Sequence, residues 1–285
     1  MSNIVRALQI LELLVDAPAG ARITDLALEL SVNRAIPHRL LAELIQLGYV
    51  AQDGDTERYR ATFKLGSLGL RQLETAGVTR WSQDELDALA SASRELVRLA
   101  AASGDKLLFV AKAQGANSAL IVDSVVGHEV VLHATASGKA WLSTFPRTEA
   151  RAILSGRSLS RPTTHTKTDL RQVLAELEEV RRLGYAVTNE EMETGINAIA
   201  AAIVPPDAPL GRAVGTVSIA GPAARLTSGQ LLTFVPAIRA TADKLAAQWH
   251  VYAYLDALAA SGARNTDPSN ATAQPGDVGV TANDT

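Results

Sequence analysis

The sequence predicts an α+β chain of two units, and three observations carry that prediction. Apolar residues recur at helical spacing through most of the first 47 residues, and a β-hairpin signature follows them. From about residue 106 onward, short β-rich runs alternate with amphipathic helices. A length of 285 residues fits two domains of ordinary size, and a hydrophobic content of 47% is ample for a core in each.

In the first unit, Ile4, Leu8, Leu11, Leu14 and Val15 fall on one stripe of an opening helix. Thr24 is placed to cap a second helix, with Asp25 in its first turn, where the helix dipole favours an acid. Leu26, Ala27 and Leu30 supply that helix's inner face, and Ala27 is small enough to let two helices cross closely. The segment hinges at Ser31-Val32-Asn33, with Ser31 standing where glycine is common in such turns. Asn33 caps a third helix to about Gln46, turning Leu40, Leu41, Leu44 and Leu47 inward, and Gly48 stops it. Pro37 is then the fourth helical residue, so at most one backbone bond is lost.

Next, Tyr49-Val50-Ala51 and Arg58-Tyr59-Arg60 are extended segments joined by the turn-rich Asp53-Gly54-Asp55-Thr56. Three helices with a tight hinge, followed by a hairpin, make a winged helix-turn-helix, a unit that docks in DNA. On its third helix Arg34, His38 and Arg39 can address base edges, arginine pairing bidentately with guanine. The competing role for Arg39 is an ion pair with Glu43 one turn on. Arg58 and Arg60 of the hairpin can reach phosphates or the minor groove, or else pair with Asp53, Asp55 or Glu57. The net charge of −3 gives no general nucleic-acid signal, and cations and acids nearly balance within the first 70 residues. Affinity for DNA must therefore come from locally placed cations and from pairing two such modules in a dimer.

Residues 63–73 predict a short helix with two glycines, and a polar break at 75–79 puts the domain boundary near 77. Beyond it the pattern predicts a helix over 82–102, strands at 106–112, 119–125 and 129–133, and one or two helices over 138–154. A helix over 169–183, a strand at 185–188, a helix around 195–202, a strand at 213–220 and a last helix over 228–249 complete it. Such an order suits an α/β sandwich that closes round a small molecule. The tail, 251–285, holds few large apolar side chains past residue 261 and is expected to be mostly disordered.

Several functions find no support in the sequence. With no cysteine there is no disulfide framework, thiol catalysis or thiolate metal site. No apolar stretch approaches the roughly 20 residues of a membrane helix and no signal-peptide pattern opens the chain, so a cytoplasmic protein is expected. His128-Glu129-Val130-Val131-Leu132-His133 has one residue too many for a zinc motif, and Glu190, Glu191 and Glu193 suit solvent or a helix cap better than metal. No nucleophile elbow or Ser-His-Asp order is present, so neither catalytic residues nor a cofactor is assigned. The stretch from His133 to Ala140 lacks the first glycine and the final Ser/Thr of a Walker loop. Its small-residue turn into a helix exposes N–H groups suited to a carboxylate.

Five segments in order, VRALQILELL, HRLLAELIQLGYV, LHATASGKAWLS, GYAVTNEEMETGINAIAAAI and VGTVSIAGPAARL, make the chain similar to the IclR family of bacterial transcriptional regulators from about Ile4 to His250. The resemblance implies a winged helix-turn-helix over 1–63, a linker helix over 64–78 and a C-terminal α/β, GAF-like effector-binding domain over 79–250. It implies double-stranded operator DNA as partner, a homodimer or homotetramer, and a small-molecule effector, a carboxylate, that alters operator affinity. Repression is the commoner behaviour in the family. Thr24, Ala35 and Ile36 join the DNA-facing set, although members often carry Ser-Thr where this chain has Ala35-Ile36. Ala136, Ser137 and Gly138 match one wall of the effector pocket, and Thr188, Ile196, Ala198 and Ser218 match the other. Thr, Ile and Ala at these positions imply a more apolar pocket, fit for an aromatic or branched acid. The alternative is an enzyme built on residues 80–250 with an N-terminal dimerisation unit, which requires a convergent catalytic cluster that the sequence does not show.

Overall fold

A computed structural model describes residues 1–75 and 78–249, in two compact units divided after Thr75. The expected disordered tail lies outside the described residues. In the first unit α1 (Asn3–Val15), α2 (Ile23–Glu29) and α3 (Ala35–Gln46) pack round Ile10, Leu14, Leu26, Leu40 and Leu41. Burying each such side chain stabilises the unit by roughly 1.5–3 kcal/mol. The apolar stripe expected on α1 is wrong in part. Ile10 is buried with Leu11 and Leu14, whereas Ile4, Leu8 and Val15 are exposed. Leu47, expected inside, is also exposed, and Leu30 is only half-buried.

The second helix begins one residue before Thr24. Its first turn is closed by Asp25, whose carboxylate accepts from the Arg22 N–H at 3.2 Å, so Thr24 is not the cap. Ser31 takes the left-handed conformation (φ 52°) that favours glycine. The Asn33 side chain accepts from the Ala35 N–H at 3.1 Å, as a cap does. Pro37 loses no bond: the Asn33 carbonyl it cannot reach accepts from the Ile36 N–H at 3.2 Å, and the ladder resumes with His38 N–H to the Arg34 carbonyl. At the far end Gly48 (φ 76°) donates to Ile45 and Tyr49 donates to Leu44, both at 2.9 Å, a Schellman closure.

The hairpin forms as β1 (Val50–Gln52) and β2 (Tyr59–Ala61), with Ala51 opposite Arg60. Asp53 organises its turn by accepting from the Thr56 N–H at 2.8 Å and the Thr56 hydroxyl at 2.7 Å, which holds its carboxyl below the usual 3.8. Ala21 bridges to Tyr59 and ties the wing to the start of α2. A helix, α4 (Phe63–Thr75), ends the unit.

The second unit is a five-stranded antiparallel sheet with helices on both faces. Its strands are β3 (Leu96–Ser103), β4 (Lys106–Gln114), β5 (Ala186–Asn189), β6 (Ile196–Ile203) and β7 (Gly215–Pro222), in spatial order β4-β3-β7-β6-β5. The helices α5 (Val78–Ser93) and α10 (Val235–Ala247) cover one face through Leu86, Leu89, Ile238 and Leu245, with the short α9 (Ser228–Thr233) preceding α10. On the other face lie α6 (Ala136–Leu142), α7 (Arg147–Ser155) and α8 (Leu170–Leu183). No helix among the described residues is long and apolar enough to cross a membrane.

Four expected elements are corrected. The helix over 82–102 stops at Ser93, where Arg94 turns left-handed (φ 55°), and 96–103 is β3. The helix around 195–202 is β6. Both segments are alanine-rich, and alanine's helical preference is overridden because small side chains let helices lie close on the sheet. The segments 119–125 and 129–133 are not strands. The first is a loop held by side chains, and the second makes only an isolated bridge from Glu129 to Leu108.

Candidate DNA-reading helix and ligand cavity

On α3 the packing of Leu40, Leu41 and Leu44 turns the opposite side outward, leaving Arg34, Ala35, His38 and Arg39 exposed. Among the described residues no ion pair joins Arg39 to Glu43. Ile36 is half-buried against the core, and the Thr24 hydroxyl donates to Asp25 at 3.1 Å. The two wing arginines differ. Arg58 turns back to donate to the Gly20 carbonyl at 2.7 Å and pairs with none of the expected acids, while Arg60 is exposed and near enough to Asp53 to help lower its pKa.

In the second unit the α6 face of the sheet is lined by small residues in register. Thr188, Ala198 and Ala220 form one row across β5, β6 and β7, and Ala200, Ser218 and Arg98 lie in the next. Above the first row the sheet, α6 and two loops enclose a cavity of about 240 Å³. That is small beside the roughly 300–1,000 Å³ of drug-sized pockets, and suits a compact metabolite. Ala136, Thr188, Ile196 and Ala198 of the expected residues line it. Ser137, Gly138 and Ser218 do not. Ser137 and Ser218 are buried behind the lining with hydroxyls that have no hydrogen-bond partner. Gly138 is where α6 meets the chain before it, since a Cβ there would lie 2.4 Å from the Leu132 Cα and carbonyl oxygen.

Two loops form the walls. One, at 116–126, is tied down by Lys112 to Asp123 at 2.6 Å and to the Ser124 carbonyl at 2.9 Å, by Gln114 to the Val122 carbonyl, and by Arg225 to the Leu120 carbonyl. The other follows β5 and carries Met192 and Glu193 into the lining. Its backbone is fixed by Thr163 and Thr166, which donate to the Glu190 and Glu191 carbonyls at 2.7 and 2.6 Å. Beneath it the fully buried Lys139 pairs with Glu191 at 2.6 Å and Glu176 at 2.9 Å, and Lys167 reaches the same two acids. Lys139, in the stretch that falls short of a Walker loop, is thus a structural counter-ion. Thr135 caps α6, accepting from the Gly138 N–H at 3.0 Å and donating to the Val131 carbonyl at 2.8 Å.

Arg98, Phe109 and Met192 also line the cavity, and the sequence did not mark them as site residues. A single arginine inside the apolar run Leu96-Val97-Arg98-Leu99 was the available signal for the first, hidden by the helical assignment. His133 is buried with Nε2 2.8 Å from the Ser160 carbonyl, and His128 borders the cavity. No group of three metal-ligating side chains is found among the described residues.

A helix-turn-helix head with exposed cations at and on α3, joined in one chain to a sheet domain enclosing a small cavity, defines a ligand-responsive transcriptional regulator. Comparison with known proteins gives the family. Residues 4–54 match the IclR helix-turn-helix domain and residues 70–247 match the bacterial transcriptional regulator IclR C-terminal domain. The chain belongs to the IclR family. It is 32% identical over 232 residues to the transcriptional regulator KdgR of Escherichia coli K12, covering 81% of this chain and 87% of that protein. It is 27% identical over 250 residues to the transcriptional repressor AllR of E. coli UTI89, covering 88% and 91%. Among solved structures, a regulator of this family from Silicibacter sp. TM1040 superposes with a TM-score of 0.75 at 26% identity, covering 87% and 96%. A homologue from Microbacterium hydrocarbonoxydans, complexed with 4-hydroxybenzoate, shares the fold at 21% identity and a TM-score of 0.67, covering 87% and 99%.

Proposed function

We propose that this regulator is a cytoplasmic repressor, not an enzyme, which holds operator DNA as a homodimer or homotetramer and alters its grip when a small carboxylate enters the cavity. Residues 1–63 act as the reading head, 64–78 as the linker helix and 79–250 as the effector-binding domain. Arg34 and Arg39 are assigned to base edges, supported by their exposure on α3. Thr24, Ala35 and Arg60 are assigned to the backbone, with His38 beside them. Arg58 and Ile36 contribute by shaping the surface, because both side chains are engaged within the unit.

The observation that carries this reading is the cavity itself: residues from all five strands, the start of α6 and two loops, Ala136, Thr188, Ile196 and Ala198 among them, converge on one space. Thr135 and Ala136 at the start of α6 border it, and the Gly138 N–H is already taken by the Thr135 hydroxyl. The bound 4-hydroxybenzoate belongs to a relative too distant to fix the ligand here, so the class is argued from this lining. Coupling follows from linkage. A ligand changes DNA affinity only by the difference in its affinity for the two arrangements of the protein, tenfold for each ~1.4 kcal/mol.

Thermal-shift screening of the full chain against small organic acids, followed by footprinting on genomic fragments selected by the protein, tests the proposal. Expected are at least one stabilising acid and a footprint weakened by it. Footprints unchanged by confirmed binders overturn the coupling, and turnover of a bound acid overturns the assignment as a regulator alone.

A further inference from the structure

Arg98 rises from the middle of β3, flanked in register by Lys112 on β4 and Ser218 on β7. Its guanidinium carbon stands 4.2 Å from the centre of the Phe109 ring, and both side chains line the cavity. The side chain is partly buried, and its Nε is sealed from solvent without a hydrogen-bond partner among the described residues. Three carboxylates also border the space. Two are already committed, Asp123 to Lys112 at 2.6 Å and Glu129 to Lys106 at 3.0 Å and to Arg157. The third, Glu193, sits exposed at the rim. Burial alone brings Arg98 down to about 10, with no acid offsetting it, and the group stays charged at neutral pH.

An arginine in that position is costly to fold around, because a desolvated charge needs a partner. Two of the three acids have given their charge elsewhere, and the third, Glu193, is exposed and makes no ion pair with Arg98 among the described residues, so the missing partner comes from outside the chain. We infer that Arg98 is the anion receptor of this cavity, taking the carboxylate of a small monoanion whose flat, apolar body lies against Val131, Ala136, Ile196 and Ala198. The inference rests on the cavity being the effector site and deepens it. A carboxylate is the fitting anion because it matches the guanidinium fork in one plane. One negative charge is specified by a single uncommitted arginine with acids round it, which repel a second. An aromatic or conjugated body is specified by the apolar walls and the limited volume.

Calorimetry and thermal shift on the full chain, with benzoate, benzamide and phthalate as probes, test this, alongside R98M and R98K. Benzoate binds the wild type, whereas its neutral amide and the dianion do not. R98M weakens benzoate roughly ten- to hundredfold and raises the melting temperature of the unliganded protein, because an uncompensated charge has gone. R98K, which keeps the charge but loses the fork, weakens benzoate less, and it gives an independent readout if R98M does not fold. Equal benzoate affinity in wild type and R98M overturns the role of Arg98 and leaves the effector reading standing. Binding of benzamide as tight as benzoate overturns the anion selectivity. If benzoate does not bind while small organic acids of another shape do, the flat monoanion is wrong and the effector reading survives. If no acid binds, both fall.

Discussion

The two units treat their cations in opposite ways. On the reading head Arg34 and Arg39 stand in solvent with no acid bound to them among the described residues, whereas in the sensor domain Lys106, Lys112, Lys139, Arg157 and Arg225 are each tied to a carboxylate of the same domain. A hydrated arginine on a surface costs almost nothing to leave unpaired and is available for phosphate or guanine. Inside the sensor an unpaired charge is destabilising, so among the described residues every cation withdrawn from solvent, Arg98 apart, has been given an acid partner. The lesson is that an exposed free cation says little by itself, while a partly buried free one, Arg98, points strongly to a ligand.

The sharpest way to break this contrast is at Lys139. K139M leaves Glu191 buried with only the more distant Lys167 to offset it, and is expected to destabilise the sensor domain by about 3 kcal/mol. Urea unfolding followed by intrinsic fluorescence measures this. A loss under about 1 kcal/mol would show that Lys167 and solvent suffice.

The matching change on the head is R39A. Operator affinity should fall by about 1–3 kcal/mol, roughly five- to 150-fold, with global stability unchanged to within about 0.5 kcal/mol. Gel-shift titration at fixed salt and a melting curve report the two halves, and unchanged affinity removes Arg39 from the reading set.

Acid titration sharpens the sensor side. Burial pushes the Glu129 carboxyl up, but hydrogen bonds from Arg157 and Lys106 outweigh it and leave the group below its usual 4.5. The folded-state pKa is depressed, so its contribution is fully present above 4.5 and is lost as the pH falls through the lower folded value. The stability difference between wild type and E129Q should therefore be constant near neutrality and shrink in acid. A difference that grows as pH falls contradicts the pairing.

The smallest effect concerns the hinge. Ser31 holds φ 52° without being glycine, so S31G should stabilise the first unit by up to about 1 kcal/mol. A destabilised variant would mean that the Ser31 side chain contributes more than its backbone strain costs.

Much of the head was legible because its signals are local. Asn33, Gly48 and the Asp53 turn act within a few residues of themselves, and leucine spacing marks the inner face of α3. The exposed side of α1 was not legible, since Leu8 and Leu11 fit a helical stripe equally well and only the partners of Ile10 decide which face turns inward. In the sensor, Ala136, Thr188, Ile196 and Ala198 reached the cavity lining, but Arg98 lay in a segment assigned to a helix.

The sequence by itself determined that two units exist, that the first presents a winged helix-turn-helix, and which five segments mark the family. These depend on caps, turns and periodicity, which act over a few residues. Only the tertiary structure decided that the alanine-rich stretches 96–103 and 196–203 are adjacent to β7 rather than coiled as helices, and that an arginine from one faces a cavity walled by the other. The reason is physical. Strand pairing and burial are set by what lies across the sheet, which for β3 is more than a hundred residues away along the chain, and a small side chain such as alanine carries too weak a local preference to announce it.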